Sequence, residues 1–357
     1  MITVEVSTDP VAWSSGLETP DRRSVFNSSQ WLESLRTGGR EPVYLDLVEN
    51  REVVARMGGL AIGRRRAKES SLLFYAGPAT RADLGPDRIR EIYGAIHAWA
   101  KKSGFNHLAI ATYDYPDCFP RCRNFIYRER TEYIVDLTRS PEEIRGKISR
   151  NVRQCAHKAA RSGYSIRESG DHHLTARLIE LMEETKNARI SKGYPDYDYF
   201  HLPYTAGNTL GHMVAEGGMV YYVAEKQQEV HGIIAVIQVA RRAYAIYLGI
   251  AREGYRLGVS QLLESWLIQH MKEKGYEYIN FGGIPQGASY AGLIEYKRKL
   301  GCTVQTCYQA FSANLLFPYT LTNPFYRLLG MLPEKGFSRR ISSGLLSLVR
   351  VFRGKRT

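Results

Sequence analysis

The stretch that decides the fold is MVYYVAEK (219–226), EVHGIIAVIQV (229–239) and AYAIYLGI (243–250), followed by the segment 257–274 and by YEYINFGG (276–283). Because β-branched and aromatic residues dominate the first three segments and short polar turns separate them, they read as strands. Segment 257–274 carries its apolar residues on one helical face and is followed by a glycine, which predicts a helix that ends there. Three strands, a helix and a further strand predict an α/β domain.

The same order of elements occurs in the first half of the chain. The predicted elements of that half are a helix from Asn27, strands at 42–49, 52–62 and 72–77, a helix over 87–103 that ends at Gly104, and a strand at 107–113. In the second half, a helix predicted over 173–190 stands before the strand at 219–226. The repetition predicts a duplicated fold, and the alternative is a chance agreement of coarse elements.

A basic segment joins the two halves. Ser140-Pro141-Glu142-Glu143 is typical of a helix start, with a cap, a proline in the first position and a glutamate in the third. Ile144, Ile148, Val152, Ala156 and Ala159 form an apolar stripe, and Gly163 stands in the stop position. The pattern predicts one long basic amphipathic helix that opens the second domain.

The net charge of +13 is concentrated in two segments. Residues 139–167 contain eight basic and two acidic residues, and residues 317–357 contain eight basic residues and one acidic residue. This placement predicts anionic partners, for which RNA, a pyrophosphate-bearing substrate and an anionic membrane are the candidates. A solvated basic face is the alternative.

The remaining composition favours a cytoplasmic protein. The five cysteines show no disulfide framework, the start MITVEVSTDP lacks an apolar signal core, and no run reaches the ~20 apolar residues of a spanning helix. The segment 317–357 combines clustered arginines with short apolar runs, as an interfacial amphipathic anchor does; a tail that packs on the domain or is disordered is the alternative. We therefore predict domains at 1–138 and 139–316 and a basic tail at 317–357.

Six segments, in this order, resemble landmarks of the Fem family. They are SSQWLESL (28–35), YAGP (75–78), KISRNVRQCAHKAARSGYSI (147–166), NARISKG (187–193), FGGI (281–284) and GLIEYKRKLG (292–301). The resemblance implies two tandem acetyltransferase-like (GNAT-type) α/β domains, each with a mixed central sheet flanked by helices, and an active cleft mainly in the second. It also implies transfer of an aminoacyl group from charged tRNA to an amine of a peptidoglycan-type cell-wall precursor.

Two residues are the candidates for catalysis. By resemblance, Tyr296 and Lys297 match the family's aromatic-lysine pair, and a cation at Lys297 would stabilise the tetrahedral oxyanion or the leaving 3′-oxygen of the tRNA. Asp114 follows the strand at 107–113, and strand ends commonly line ligand clefts in α/β folds. Its carboxylate would orient the acceptor amine. The alternatives are a helix-surface lysine and a turn aspartate.

Tyr296 and five further residues are candidates for substrate binding. Arg150, Asn151 and Arg153 match the family's basic helix, and guanidinium groups suit the phosphates of a precursor or of tRNA; helix-surface charge is the alternative. Arg256 and Gly258 lie where acetyltransferases carry a Q/R-x-x-G-x-G/A turn for the CoA pyrophosphate, but the glycine spacing fits poorly. This favours a donor other than CoA, with charged tRNA as co-substrate and no cofactor.

Three functions remain open from the sequence. The first is the Fem-like aminoacyltransferase, the second a CoA-dependent N-acyltransferase of envelope or exopolysaccharide synthesis, and the third a non-catalytic scaffold or RNA-binding protein. No metal site is expected, since His172-His173 and the pair Cys118 and Cys122 lack ligand spacing.

Overall fold

The computed structural model of the chain describes residues 2–15, 24–36, 39–80, 84–113, 121–191, 193, 207–215, 217–239, 241–284 and 290–324. In this part of the chain, thirteen strands join in one mixed sheet. The strands are β1 Thr3–Ser7, β2 Arg40–Glu49, β3 Glu52–Ile62, β4 Ser71–Phe74, β5 Ala79–Thr80, β6 His107–Ala111, β7 Phe125–Asp136, β8 Ser165–Ser169, β9 Met219–Lys226, β10 Glu229–Val239, β11 Arg242–Ile250, β12 Tyr278–Ile284 and β13 Thr303–Ser312.

The helices pack on both faces of this sheet. They are α1 Pro10–Ser15, α2 Ser29–Ser34, α3 Pro86–Lys102, α4 Pro141–Lys147, α5 Arg150–Arg161, α6 Leu174–Ile190, α7 Gly207–Ala215, α8 Arg252–Leu257, α9 Val259–Glu273 and α10 Ala291–Lys299. The predicted order of a helix, three strands, a helix and a strand occurs in both halves, as α2, β2 to β4, α3 and β6, and as α6, β9 to β11, α9 and β12. The predicted mixed α/β fold is therefore confirmed.

The two halves exchange strands at the centre of the sheet. The strand order is β1-β2-β3-β4-β6-β13-β7-β12-β11-β10-β9-β8, with β5 paired to β3. β7 follows β6 in the chain but pairs with β12, while β13 returns to pair with both β6 and β7. The boundary predicted at residue 138 directly follows β7, so a strand of the first half completes the sheet of the second. The predicted domain limits themselves stay predictions.

Three buried apolar clusters support the sheet. One lies under α3, a second lies under α5 and α9, and a third joins residues from both halves. In the third cluster, Phe26 packs edge-on against Trp31 of α2 and against Tyr244 of β11, with ring centroids 5.0 and 4.9 Å away. The contact between the two halves is thus made by buried aromatic rings, which favours a fixed arrangement of the halves.

The structure corrects the prediction of one long basic helix. α4 ends at Lys147, Ile148 adopts an extended conformation, and the Ser149 hydroxyl caps the start of α5 by accepting from the Val152 amide. The Ser149 amide donates instead to the carbonyl of Lys299 at the end of α10, at 2.8 Å. A serine that caps a new helix while its amide bonds elsewhere breaks the helical hydrogen-bond series.

The first predicted helix also begins later than Asn27. Ser28 is its cap, and the side chain of Asn27 bonds to the Gly77 carbonyl and the Gly58 amide. Asn27 therefore ties the chain to β3 rather than capping α2.

Candidate active site

The parallel strands β11 and β12 part at their carboxyl ends. Residues 242–244 pair with residues 278–280; beyond them β11 follows β10 to Ile250 and β12 follows β7 to Ile284. Each strand has a bulge near this point, because Ile246 is extra opposite β10 and the register of β12 shifts between Asn280 and Gly283. Bulges re-aim backbone groups and occur often beside active sites.

Lys297 lies under the bulge of β12. Its side chain projects from α10, the residue is only 8% exposed, and Nζ donates to the carbonyl oxygens of Phe281 at 2.5 Å and Gly282 at 3.1 Å. The ammonium also lies 5.2 Å from the centre of the Tyr133 ring. Burial lowers the pKa of Lys297 to about 8, against nearby groups that raise it. The predicted catalytic lysine is thus a buried cation beside the diverging strands, not an exposed helix residue.

Tyr296 connects α10 to α9. Its hydroxyl donates to the carboxyl of Glu264, which is buried on α9. Burial raises the pKa of Glu264 to about 7, while Tyr296 and Lys297 counteract that rise. Burial and the neighbouring Glu264 also raise the pKa of the Tyr296 hydroxyl. The contact between Tyr296 and Glu264 therefore holds α10, the helix that carries Lys297, against α9.

A second buried carboxylate faces the same bulge. Glu132 of β7 is fully buried and accepts hydrogen bonds from Asn280 Nδ2 at 2.8 Å, from the Tyr244 hydroxyl at 3.2 Å and from Arg130. The Arg130 guanidinium lies over the Tyr113 ring, 3.7 Å from its centre. Our sequence reasoning missed Glu132. The sequence signal for it is the run of charged residues inside the strand segment FIYRERTEYIVD.

The predicted phosphate-binding residues separate into two kinds. Arg150 and Asn151 are exposed at the start of α5. Arg153 instead turns back, and its Nη1 donates to the carbonyl oxygens of Arg145 and Ile148, both at 2.8 Å. Arg153 thereby closes the end of α4, which leaves Arg150 as the exposed guanidinium of the predicted run.

Gly258 joins α8 to α9 in a left-handed conformation, with φ of +87°. A Cβ at this position would lie 2.7 Å from the carbonyl oxygen of Cys155 on α5, so this turn packs directly against the basic helix. The Arg256 side chain is exposed, and its carbonyl accepts from Lys158 Nζ at 3.4 Å. The predicted donor turn and α5 therefore form one surface.

Helix α9 links the predicted donor turn to the residues around Lys297. Gly258 precedes its first residue and Glu264 lies six positions further on, which is ~9 Å along a helix axis. The predicted Asp114 lies outside the described residues, directly after Tyr113. On the surface, the ligand atoms of Asp171, His172 and His173 come within 4.8 Å of one another, but all three residues are exposed.

Within the described residues, no helix is both long enough and apolar enough to cross a membrane. The described part of the predicted tail ends at residue 324, and two of its apolar side chains, Phe317 and Leu321, are 79% and 67% exposed.

Comparison with known proteins agrees with this architecture. Residues 146–298 match the family described as Acetyltransferase (GNAT) domain. No curated protein matches the chain by sequence. Among solved structures, FemX is similar with a TM-score of 0.66 and 12% identity, over 92% of this chain and 100% of FemX.

Two further structures are similar in fold. L-PGS from Bacillus licheniformis has a TM-score of 0.54 and 16% identity, over 90% of this chain and 95% of that one. A tandem GNAT protein from the clavulanic acid biosynthesis pathway has a TM-score of 0.51 and 10% identity, over 88% and 98% of the two chains. Residues 146–298 thus match an acetyltransferase (GNAT) domain, and the fold of the chain is similar to those of FemX and of a tandem GNAT protein.

Proposed function

We propose that this acyltransferase moves an aminoacyl group from charged tRNA to an amine of a peptidoglycan-type cell-wall precursor. The observation that carries the proposal is the buried ammonium of Lys297 where β11 and β12 part. A cation in a dry site stabilises developing negative charge far better than one in water.

The proposed reaction needs no covalent enzyme intermediate. The neutral acceptor amine attacks the ester carbonyl, the new C–N bond forms, and the C–O bond to the tRNA breaks. The proton lost by the amine is taken up by the leaving 3′-oxygen. Lys297 would stabilise the negative charge on the tetrahedral oxygen or on that leaving oxygen, and Asp114 would orient the amine.

The surface around α5 supports a polyanionic donor. Arg150 and Lys158 are exposed on α5, and Arg256 is exposed on the adjoining α8. Guanidinium and ammonium groups that follow one surface suit the phosphates of tRNA or of a pyrophosphate-linked precursor. Association with charged tRNA should therefore weaken steeply as salt is raised.

The second candidate is a CoA-dependent N-acyltransferase, which the GNAT domain match and the tandem GNAT relative favour. The close packing of Gly258 on the Cys155 carbonyl and the poor glycine spacing of its turn favour the tRNA donor instead. A thermal-shift experiment separates the two, because a ligand raises the melting temperature of the protein that binds it. A shift with acetyl-CoA and none with charged tRNA would support the second candidate. If neither ligand shifts melting, the non-catalytic alternative gains.

The direct test is single-turnover transfer of a radiolabelled aminoacyl group from tRNA to a muropeptide precursor. We expect Lys297→Ala to reduce the rate constant by about 10²–10³-fold, as loss of an oxyanion-stabilising group does. Lys299→Ala is the matched control, because Lys299 lies on the same helix but is exposed and pairs with Glu295 at 3.4 Å. Near-normal turnover by a folded Lys297→Ala protein would overturn the assignment.

We propose in addition that the protein works in the cytoplasm, at the inner face of the membrane. The exposed Phe317 and Leu321 stand directly before a segment with eight basic residues. An apolar pair beside clustered positive charge suits an anionic lipid surface.

A further inference from the structure

The bulge of β12 is held by a continuous series of hydrogen bonds that begins at Glu132. The Glu132 carboxylate accepts from Asn280 Nδ2 at 2.8 Å, and Asn280 Oδ1 in turn accepts from the Gly282 amide at 2.8 Å. The carbonyl oxygen of the same Gly282 accepts from Lys297 Nζ at 3.1 Å. Each group in the series is thus oriented by the one before it.

The bulge matters because it changes where two carbonyl groups point. Asn280 pairs with Ile134 and Gly283 pairs with Glu132, so Phe281 and Gly282 together oppose the single residue Tyr133. Gly282 adopts φ of +76°, which a side chain rarely allows. The carbonyl oxygens of the two bulged residues are both bonded to the Lys297 ammonium.

Glu132 also has partners on β7 and β11. Arg130 pairs with it, and the Tyr244 hydroxyl donates to the same oxygen from β11 at 3.2 Å. Burial opposes the charge of Arg130, but Glu132 and its neighbours raise the pKa of Arg130 above its ordinary value. The buried Glu132 carboxylate therefore has an arginine and two further hydrogen-bond donors as partners.

From this geometry we infer that Glu132 is a positioning residue for the active lysine: through Asn280 it fixes the bulge whose two carbonyl oxygens bind the Lys297 ammonium. The inference rests on the proposed function only for the catalytic role of Lys297. The groups that face Lys297 are Glu132 and the Tyr133 ring from β7, Glu264 from α9, and Cys302 after α10. Of these groups, Glu132 is the one that also bonds, through Asn280, to the bulge whose carbonyl oxygens bind the ammonium.

The experiment measures the Lys297 ammonium directly. Protein labelled with ¹⁵N-lysine is titrated from pH 6.5 to 9.5 by NMR, and the Nζ signal of Lys297 is assigned by its loss in Lys297→Met. In Glu132→Gln we expect the pKa of Lys297 to fall by about one unit, because removal of an anion disfavours the ammonium. Glu129→Gln, an exposed glutamate of the same strand, is the control and should leave the titration unchanged.

A second variant covers the case in which Glu132→Gln does not fold, since it leaves Arg130 buried without its partner. Asn280→Ala keeps both charges but cuts the link to the Gly282 amide. We expect the pKa of Lys297 to fall in this variant too, because the carbonyl oxygens that bind the ammonium are no longer held in place. A folded Glu132→Gln or Asn280→Ala protein with an unchanged Lys297 titration would overturn the inference.

Transfer assays separate this inference from the proposed function. If Lys297 acts as an ammonium, the rate of aminoacyl transfer should decline at alkaline pH, and this decline should begin about one pH unit lower in Glu132→Gln. If the NMR titration shifts and the pH profile of transfer does not, the positioning role stands and the catalytic role of Lys297 fails.

Discussion

At the scale of single residues, the site depends on charges that are buried together. Lys297 loses hydration but gains two carbonyl acceptors, and Glu132 lies among Arg130, Tyr244 and Asn280. An unpaired buried ion costs several kcal/mol, so such groups persist only with partners. Because the partners come from β7, β11 and β12, the site forms only when the strands of the two halves are joined.

Glu264 makes a residue-scale prediction about stability. Burial raises its pKa from 4.5 in the unfolded chain to about 7 in the folded protein, so the folded state binds more protons between these values. Its contribution to the free energy of unfolding is therefore complete below pH 4.5 and is lost as pH rises through 7. We expect the wild type to lose about 3 kcal/mol relative to Glu264→Gln over this range.

Urea unfolding at several pH values measures this difference. Glu273→Gln is the control, because Glu273 lies on the same helix α9 and is exposed. Its stability difference from the wild type should stay flat over the same range. A flat difference for Glu264→Gln as well would show that this carboxyl is ionised normally in the folded protein.

At the scale of elements, the structure depends on how α5 packs. Its start is capped by Ser149, and its middle presents the Cys155 carbonyl to Gly258 at the turn between α8 and α9. Glycine is required there for two reasons, the positive φ and the lack of space for a Cβ. The packing places the exposed cations of α5 beside Arg256.

Substitution of Gly258 should therefore be costly. Gly163, which follows α5, has a similar φ of +88°, but a Cβ added there would meet no atom within 4 Å, so Gly163→Ala isolates the cost of the backbone conformation. We expect about 1–2 kcal/mol for Gly163→Ala and clearly more for Gly258→Ala, where α5 must also move. Chemical denaturation measures both. Equal costs would mean that the contact with Cys155 is loose in solution.

Much of this element structure could be predicted from the sequence, and the reasons for the failures are physical. The bounds of β3, β9 and β10 follow from local composition, and the apolar stripe of the basic segment is buried at Ile144, Ile148, Val152 and Ala159. The break at Ser149 could not be seen, because its amide bonds to Lys299, 150 residues later in the chain. Local periodicity carries no information about such a partner.

The candidate site was predictable only in part for the same reason. Tyr296 and Lys297 stand in a short recognisable segment, but the carboxylate that faces the lysine comes from β7, which pairs with β12 across the junction between the halves. Nothing in the local pattern indicates that β7 pairs with a strand of the second half or that β13 pairs with strands of the first. Arg153 was also predicted to bind phosphate, whereas the structure shows it bonded to two carbonyl oxygens at the end of α4.

At the scale of the whole molecule, the strand exchange gives the two halves a common sheet. β13, the last strand of the described residues, lies between β6 and β7 and so joins the second half to two strands of the first. The loop that follows β13 is fixed in turn, because Asn314 bonds to Asn106 near the start of β6 and to Thr322. The segment that leads into the basic tail is thereby anchored to the first half.

This anchored segment carries the last prediction, on membrane contact. We expect the full-length chain to co-sediment with phosphatidylglycerol vesicles and much less with phosphatidylcholine, and to be released by salt, because the 317–357 segment is strongly basic. The double variant Phe317→Ser/Leu321→Ser should bind about 100-fold more weakly, since two buried apolar side chains contribute roughly 3 kcal/mol. Val11→Ser, which changes an apolar residue on α1 that is 77% exposed, should bind as the wild type does. If all three proteins pellet equally with the vesicles, Phe317 and Leu321 do not contact the lipid, and the charge of the tail alone accounts for any binding. If none of them pellets, the basic segment does not contact a membrane.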